Sequence, residues 1–375
     1  MFDLAELESV LALVRASVPP TLQYAWPLLK ARTGVEVVVK HENHTSIGAF
    51  KVRGGIVYFN RLKRDRPQVQ GIVTATRGNH GQSLAFAGGR AGIAVTIVVP
   101  RGNSIEKNAA MRSLGAELIE YGRDFDEAKE HAVLIAAQRG DEYAPSFHRD
   151  FVVGVATYAH ELFTAVDELD TVYVPIGLGS GICGVIGTRD VLGRKTRIVG
   201  VVAEAANTYA CSVAAGRPVP TNSALTFADG MAVRVPDAVA LEVIRRGADR
   251  IVQVSEDEIS EAIRVLHSAT DRSADGAGAA ALAALIKERE SSRQTSSRSS
   301  KRAEYRSRMD TDCVCGRYAA GFLTAGALRL DAFSRALRSS GANLFTEAAA
   351  PTAHAPFIGF AMREESFTSR PPGQR

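Results

Sequence analysis

Cysteine, aromatic residues and long apolar runs are all scarce in this chain of 375 residues. Its four cysteines, Cys183, Cys211, Cys313 and Cys315, suit a reducing compartment better than a disulfide framework. No apolar run reaches the length of a membrane span, and the acidic N-terminal residues 1–6 lack a signal-peptide pattern. We therefore expect a cytoplasmic globular protein that has no membrane partner.

The body of the chain also lacks an excess of positive charge. The formal net charge is +4, but residues 291–375 contain 13 basic and 7 acidic residues. The preceding residues contain 32 basic and 34 acidic residues, so the body is close to neutral. A basic surface of the kind that binds nucleic acid is therefore not expected.

Apolar runs typical of β-strands alternate with helical stretches as far as residue 290. The strand-like runs are 35–39, 71–75, 94–100, 117–121, 171–175 and 196–202, and clear helical stretches include 82–90 and 104–114. This alternation predicts an α/β fold, with parallel sheets covered by helices on both faces. The length is sufficient for two such lobes.

A polar loop joins the first predicted strand to a helix that begins at a lysine. From Lys40 to Gly54 the sequence reads K-H-E-N-H-T-S-I-G-A-F-K-V-R-G, which places Lys51 directly after Phe50. Burial of this lysine would lower its pKa, and a neutral amine is a nucleophile toward an aldehyde. One lysine does not specify such chemistry alone, so the other parts of a site must follow elsewhere in the chain.

Two further turns each join a strand to a helix. The first reads T-A-T-R-G-N-H-G-Q-S from Thr74, and its Asn79 lies 28 positions after Lys51. The second reads P-I-G-L-G-S-G-I-C-G from Pro175. Unpaired N–H groups at a helix N-terminus favour anions, so both turns are candidate anion sites. The second also fits G-x-G-x-x-G, with Glu204 ending the next strand, which leaves a nicotinamide-dependent oxidoreductase open.

The lysine loop and the two turns, in this order, resemble fold-type II pyridoxal-phosphate (PLP) enzymes of the threonine and serine dehydratase family. Segments 226–233 and 275–279 are similar to two more segments of that family, A-D-G-[IMV]-x-V and E-x-x-G-A. The resemblance implies a two-lobed fold of the tryptophan synthase β type. Its larger, PLP-binding lobe would comprise residues 1–60 and 151–290, and its smaller lobe residues 61–150.

The resemblance also implies roles for individual residues. Lys51 would hold PLP covalently beside Phe50 and move the α-proton, whereas Arg53 would stabilise the helix. Asn79 would hydrogen-bond the 3′-oxygen of PLP. The phosphate would bind Gly177, Leu178, Gly179, Ser180 and Gly181, and the substrate would bind Thr76, Arg77, Gly78, Asn79 and His80. No metal is expected, because H-E-N-H lacks zinc spacing and Val202 replaces an acidic residue of metal-binding relatives.

The reaction implied is β-elimination of a threonine- or serine-like hydroxy amino acid to a 2-oxo acid and ammonia. Arg77 departs from the family, in which racemases have serine and dehydratases often alanine, and a guanidinium is a poor proton shuttle. If Arg77 faces the pocket, 3-hydroxyaspartate or a hydroxyectoine-derived amino acid competes as substrate. If it faces solvent, it carries no such information. Relatives are commonly dimers, so a homodimer is a further expectation.

Residues 291–375 break the pattern of the body. Their serine- and arginine-rich start is typical of a disordered basic tail. Codons permitted for Lys301 to Asp310, read one base later, can spell S-G-Q-N-I-D-R-E-W, similar to the S-G-G-N-like turn that ends the family. A shifted reading frame would explain this and would remove the strand that completes the larger sheet. A third interpretation, besides the lyase and the oxidoreductase, is therefore that the chain is an inactive remnant.

Overall fold

Ten strands form two sheets in the part of the chain that the computed structural model describes, residues 1–292 and 359–363. The strands are β1 (Gln23–Ala25), β2 (Glu36–Lys40), β3 (Gly71–Ala75), β4 (Ala94–Val99), β5 (Glu117–Glu120), β6 (Glu142–Tyr143), β7 (Thr171–Pro175), β8 (Arg197–Ala203), β9 (Arg250–Val254) and β10 (Gly359–Arg363).

Helices cover the faces of these sheets. They are α1 (Leu4–Arg15), α2 (Pro27–Thr33), α3 (Lys51–Asp65), α4 (Asn79–Ala91), α5 (Ile105–Ser113), α6 (Phe125–Arg139), α7 (Arg149–Ala165), α8 (Ser180–Val191), α9 (Thr208–Ala215), α10 (Ala238–Gly247) and α11 (Glu256–Thr270), followed by a helix over residues 276–292. None of the helices among the described residues is long and apolar enough to cross a membrane.

The six-stranded sheet has the order β1-β2-β10-β7-β8-β9. Strands β7, β8 and β9 are parallel, whereas β1 and β10 each pair antiparallel to β2. Alternate residues face opposite layers: Val37 and Val39 pack with α11 and the helix over 276–292, whereas Val38 packs with α7 and α8. Helices bury both faces, which explains why its strands read as continuous apolar runs.

The four-stranded sheet has the order β5-β4-β3-β6, and all of its strands are parallel. Its strands lie between residues 71 and 143, and those of the larger sheet lie outside that interval. One face packs against α3 and α4 and the other against α6. The carboxyl end of β3 leads into α4, and that of β7 leads into α8, so both candidate anion turns lie at the ends where parallel strands support ligand sites.

The α/β fold with parallel sheets and the six singled-out strand runs are confirmed, with ends that differ by one residue or so. Strands β1 and β6 have three and two residues and carry too little periodicity to be recognised. The predicted disordered tail differs from the structure at β10, which inserts between β2 and β7. Its position pairs backbone groups that both strands would otherwise leave open. The rest of the tail, including the frameshift segment, lies outside the described residues.

Candidate active site

The loop before α3 holds Lys51 in a defined position. The Thr45 hydroxyl accepts from the Ala49 N–H at 2.9 Å and donates to the Ala49 carbonyl at 2.9 Å, which closes the loop. The Ser83 hydroxyl, on α4, donates to the Lys51 carbonyl at 2.6 Å. The Lys51 Nζ lies 5.0 Å from the centroid of the Phe50 ring. The lysine is therefore fixed from its own loop and from the neighbouring helix.

Burial lowers the pKa of Lys51 to about 8, although the nearby charge of Asp275 opposes this shift. Asp275 is the residue before the helix over 276–292, and its Oδ1 accepts from the Gly278 N–H at 2.7 Å. Burial raises the pKa of Asp275 to about 6, and its Oδ2 is buried with no hydrogen-bond partner among the described residues. With a pKa of about 8, roughly a tenth of Lys51 is uncharged at pH 7, far more than of an ordinary lysine, and it lies near a carboxylate oxygen that has an open acceptor position.

The glycine turn after β7 forms the opposite wall. Gly179 has a φ of +104°, and a Cβ there would lie 2.8 Å from the Ala240 Cβ. A Cβ at Gly177 would lie 2.3 Å from the Gly230 carbonyl oxygen. Behind the turn, the Tyr209 hydroxyl donates to the Leu178 carbonyl at 2.8 Å. Only glycine therefore gives this close backbone path, and the turn presents the N-terminus of α8.

These parts converge on one small pocket. The residues that line it are Phe50, Lys51, Asn79, Pro175, Gly177, Leu178, Gly179, Ser180, Gly181, Gly230, Met231, Asp275 and Ala277. Every residue predicted to hold the cofactor is among them. The sequence shows Asp275, Gly230 and Met231 only as parts of two segments that are similar to segments of the family, and it assigns them no role in binding. Their place in the pocket is new information from the structure.

A larger cavity of about 390 Å³ adjoins this pocket and shares Lys51, Asn79, Leu178 and Gly230 with it. The predicted substrate loop, Thr76, Arg77, Gly78, Asn79 and His80, forms part of its wall. Burial, with the nearby Lys51 charge, lowers the pKa of His80 to about 3, so this imidazole is neutral. Lys107 and Asp229 pair at 2.5 Å and also line the cavity. Asp229 belongs to the similar segment 226–233, whereas no sequence signal points to Lys107.

Comparison with known proteins identifies the family. The sequence model of the family described as "Pyridoxal-phosphate dependent enzyme" matches residues 15–299. The chain belongs to this family. This membership confirms the family predicted from the three motifs, and it decides between the two cofactors left open for the Gly179 turn in favour of PLP.

Individual relatives agree with this assignment. L-threonine ammonia-lyase of Thermotoga maritima is 34% identical over 69% of this chain and 65% of its own length, so the chain covers less than two thirds of that relative. Threonine deaminase isoform 2 of Solanum lycopersicum, a solved structure, is 30% identical with a TM-score of 0.70, covering 76% of this chain and 86% of that one. A PLP-dependent aspartate racemase is 25% identical with a TM-score of 0.73, covering 76% and 90%.

The pocket residues fit PLP. Lys51 supplies an amine of lowered pKa for the cofactor's aldehyde carbon, and the Gly177–Gly181 turn supplies backbone N–H groups for its phosphate. The close contacts at Gly177 and Gly179 leave this turn as bare backbone. Asn79 and the open Oδ2 of Asp275 add polar groups to the lining of the same pocket.

We expect the PLP-free protein to capture the cofactor covalently with a rate that rises with pH around a midpoint of about 8. Only the neutral Lys51 amine attacks the aldehyde, and its pKa is lowered to about 8, so the rate increases as the proton is lost. Stopped-flow absorbance of PLP binding measures this. Asp275→Asn should move the midpoint to lower pH, because the Asp275 charge raises the Lys51 pKa. If the pH midpoint of the capture rate lay near the usual lysine pKa instead, burial would not lower the pKa of Lys51 to this extent.

Proposed function

We propose that the protein removes the β-hydroxyl group of a threonine- or serine-like amino acid and releases a 2-oxo acid and ammonia. The observation that carries this proposal is the position of Lys51, at the junction between the glycine-turn pocket and the cavity lined by residues 76–80. The amine can thereby reach both the cofactor and the substrate. The names of the Thermotoga maritima and Solanum lycopersicum relatives support the same reaction.

Bound PLP supplies an electron sink for the breaking Cα–H bond. The chain's own residues bind, orient and move the proton. Backbone N–H groups at the start of α4 receive the substrate carboxylate. The Lys51 amine, which would hold PLP in the absence of substrate, would accept the α-proton when substrate is bound. The α-proton and the β-hydroxyl leave together as one water. Hydrolysis then consumes one water and releases one 2-oxo acid and one ammonia.

Racemisation is not proposed, although a PLP-dependent aspartate racemase has a similar structure. Racemisation needs a second group that gives and takes a proton on the other face of the cofactor. The resemblance to the family implies that Arg77 occupies the position at which racemases carry that group, and a guanidinium keeps its proton at neutral pH.

A direct assay tests the proposed reaction. The PLP-loaded protein is incubated with L-threonine, L-serine and threo-3-hydroxyaspartate, and 2-oxo acid and ammonia are quantified together. We expect both products in equal amounts, at a rate that depends on added PLP. Products from none of the three would refute the proposal and favour the inactive remnant.

Several expectations rest on composition and resemblance alone and stay predictions. They are the homodimer, the cytoplasmic location, the hydroxyectoine-derived substrate, the absence of nucleic-acid binding, and the lobes of residues 1–60 with 151–290 and of residues 61–150.

A further inference from the structure

The cationic side chains that line the larger cavity differ in whether they have an acidic partner. Three of its cationic side chains already have acidic partners. Lys107 pairs with Asp229 at 2.5 Å, Arg234 pairs with Asp126 and also lies 3.4 Å from Asp124, and Arg123 pairs with Glu127. Their charges are neutralised within the protein, so none of the three is poised for a ligand.

Arg77 differs from these three cations. It lines the same cavity and is half-buried, and no ion pair or hydrogen bond of its side chain occurs among the described residues. Its Nε is fully shielded from solvent without an acceptor. A buried guanidinium nitrogen without an acceptor is costly, and a carboxylate would supply two acceptor oxygens in the matching planar geometry.

The α-carboxylate of an amino acid has another place in the cavity. At the start of α4, the N–H groups of Asn79, His80 and Gly81 have no acceptor among the described residues, since the first internal bond of this turn is donated by Gln82 to the Gly78 carbonyl at 3.1 Å. One carboxylate can bind there. Arg77 is therefore a second anion site, adjacent to the first.

We infer that Arg77 selects a substrate with a second carboxylate on its side chain, so that the preferred substrate is a β-hydroxy dicarboxylic amino acid such as 3-hydroxyaspartate. This inference rests on the proposed β-elimination and specifies its substrate class. In threonine or serine the guanidinium would remain without a partner, whereas a β-carboxylate pairs with it. The role of Lys51 in the proposed β-elimination is the same for either substrate class.

The test compares two substrates that differ in charge but scarcely in shape, threo-3-hydroxyaspartate and threo-3-hydroxyasparagine. We expect the wild-type protein to prefer the acid. Arg77→Gln should lower kcat/KM for 3-hydroxyaspartate by about 10- to 100-fold, the loss typical of a hydrogen-bonded charge pair, and change that for 3-hydroxyasparagine by less than about 3-fold. Arg90→Gln is the matched control, since it removes one exposed cation near the C-terminal end of α4, the helix that Arg77 precedes.

An equal loss on both substrates in Arg77→Gln would overturn the inference, because it would place Arg77 on the α-carboxylate or in a purely structural role. Arg77→Lys gives a second variant that keeps the charge, and it should retain part of the preference for the acid. Equal wild-type turnover of acid and amide would overturn the inference as well.

A binding measurement separates this inference from the proposed reaction. Aspartate and asparagine lack the β-hydroxyl leaving group, and their binding to the PLP-loaded protein can be followed by the visible absorbance of the cofactor. Tighter binding of aspartate that disappears in Arg77→Gln would support the second anion site even if no hydroxy amino acid were turned over. Equal binding of the two in the wild type would overturn it.

Discussion

Replacement of Lys51 by alanine is expected to reduce the rate of 2-oxo acid formation by about 10⁴-fold, the upper range for a positioned acid–base group, and to abolish the visible absorbance of covalently held PLP. Two losses combine in this variant. The amine that attaches the cofactor is absent, and so is the base that accepts the α-proton. Steady-state assays and absorbance spectra of the PLP-loaded variant measure them separately.

Lys63→Ala provides the matched control for this experiment. Lys63 lies near the end of the same helix, α3, and within the described part of the chain its Nζ donates only to the Ala91 carbonyl, at 2.9 Å. Its removal should leave both the absorbance and the rate at wild-type values. Retention of the visible absorbance by Lys51→Ala would show that another amine holds the cofactor and would invalidate the assignment.

The convergence of Lys51, Asn79 and the Gly179 turn could be predicted from the sequence. Each follows the carboxyl end of a strand and opens a helix, which is where α/β folds place ligand sites. Because β2 and β7 belong to one sheet and β3 to the other, it was the resemblance to a known family that predicted that all three come together. Their order along the chain matched a known family, which added the identity of the cofactor. Local sequence was sufficient to place each turn, because each carries a glycine at or just before the start of the helix that it opens.

Other parts of the site could not be predicted, because their partners are distant in sequence. Tyr209 supports Leu178 from 31 positions away, and Lys107 reaches Asp229 across 122 positions. A tyrosine or a lysine on a predicted helix gives no sign of such a contact. The orientation of Arg77 was open for the same reason, since only the assembled cavity distinguishes its wall from solvent.

The clearest case is a buried ionic cluster beside the active-site lysine. Lys40 and Glu42 belong to a polar stretch that reads as a surface loop, yet both are fully buried, as is Arg53. Arg53 donates to Glu42 through Nε at 2.8 Å and to Glu161 through Nη1 at 2.7 Å, and Lys40 donates to Glu161 at 2.7 Å. Glu161 lies on α7, so the cluster ties the loop before Lys51 and the helix after it to a distant element.

Arg53→Met should therefore destabilise the protein by about 3–5 kcal/mol, the cost of leaving a buried partner charge uncompensated. Methionine keeps much of the side-chain length, but Glu42 and Glu161 lose their shared cation. Urea unfolding of the wild type and variant measures the difference. Arg64→Met is the control: its partner is the adjacent Asp65, the pair is exposed, and no measurable change is expected.

The destabilisation should also depend on pH in a predictable direction. Burial raises the pKa of Glu161, but the hydrogen bonds and charge of Arg53 outweigh it and hold that pKa below its usual range. A carboxylate of depressed pKa stabilises the fold above its unfolded-state pKa and loses that contribution as the pH falls through its folded-state pKa. Without Arg53 the Glu161 carboxylate accepts a proton more readily, so the difference in unfolding free energy between wild type and Arg53→Met should narrow on acidification. A difference in unfolding free energy that is constant with pH would instead indicate that lost packing alone accounts for the destabilisation.

The same variant should also form 2-oxo acid more slowly, because α3 begins at Lys51, two residues before Arg53. The folded Arg53→Met protein should nevertheless retain the visible absorbance of bound PLP. Loss of rate with retained absorbance would identify Arg53 as a residue that positions Lys51 rather than one that holds the cofactor.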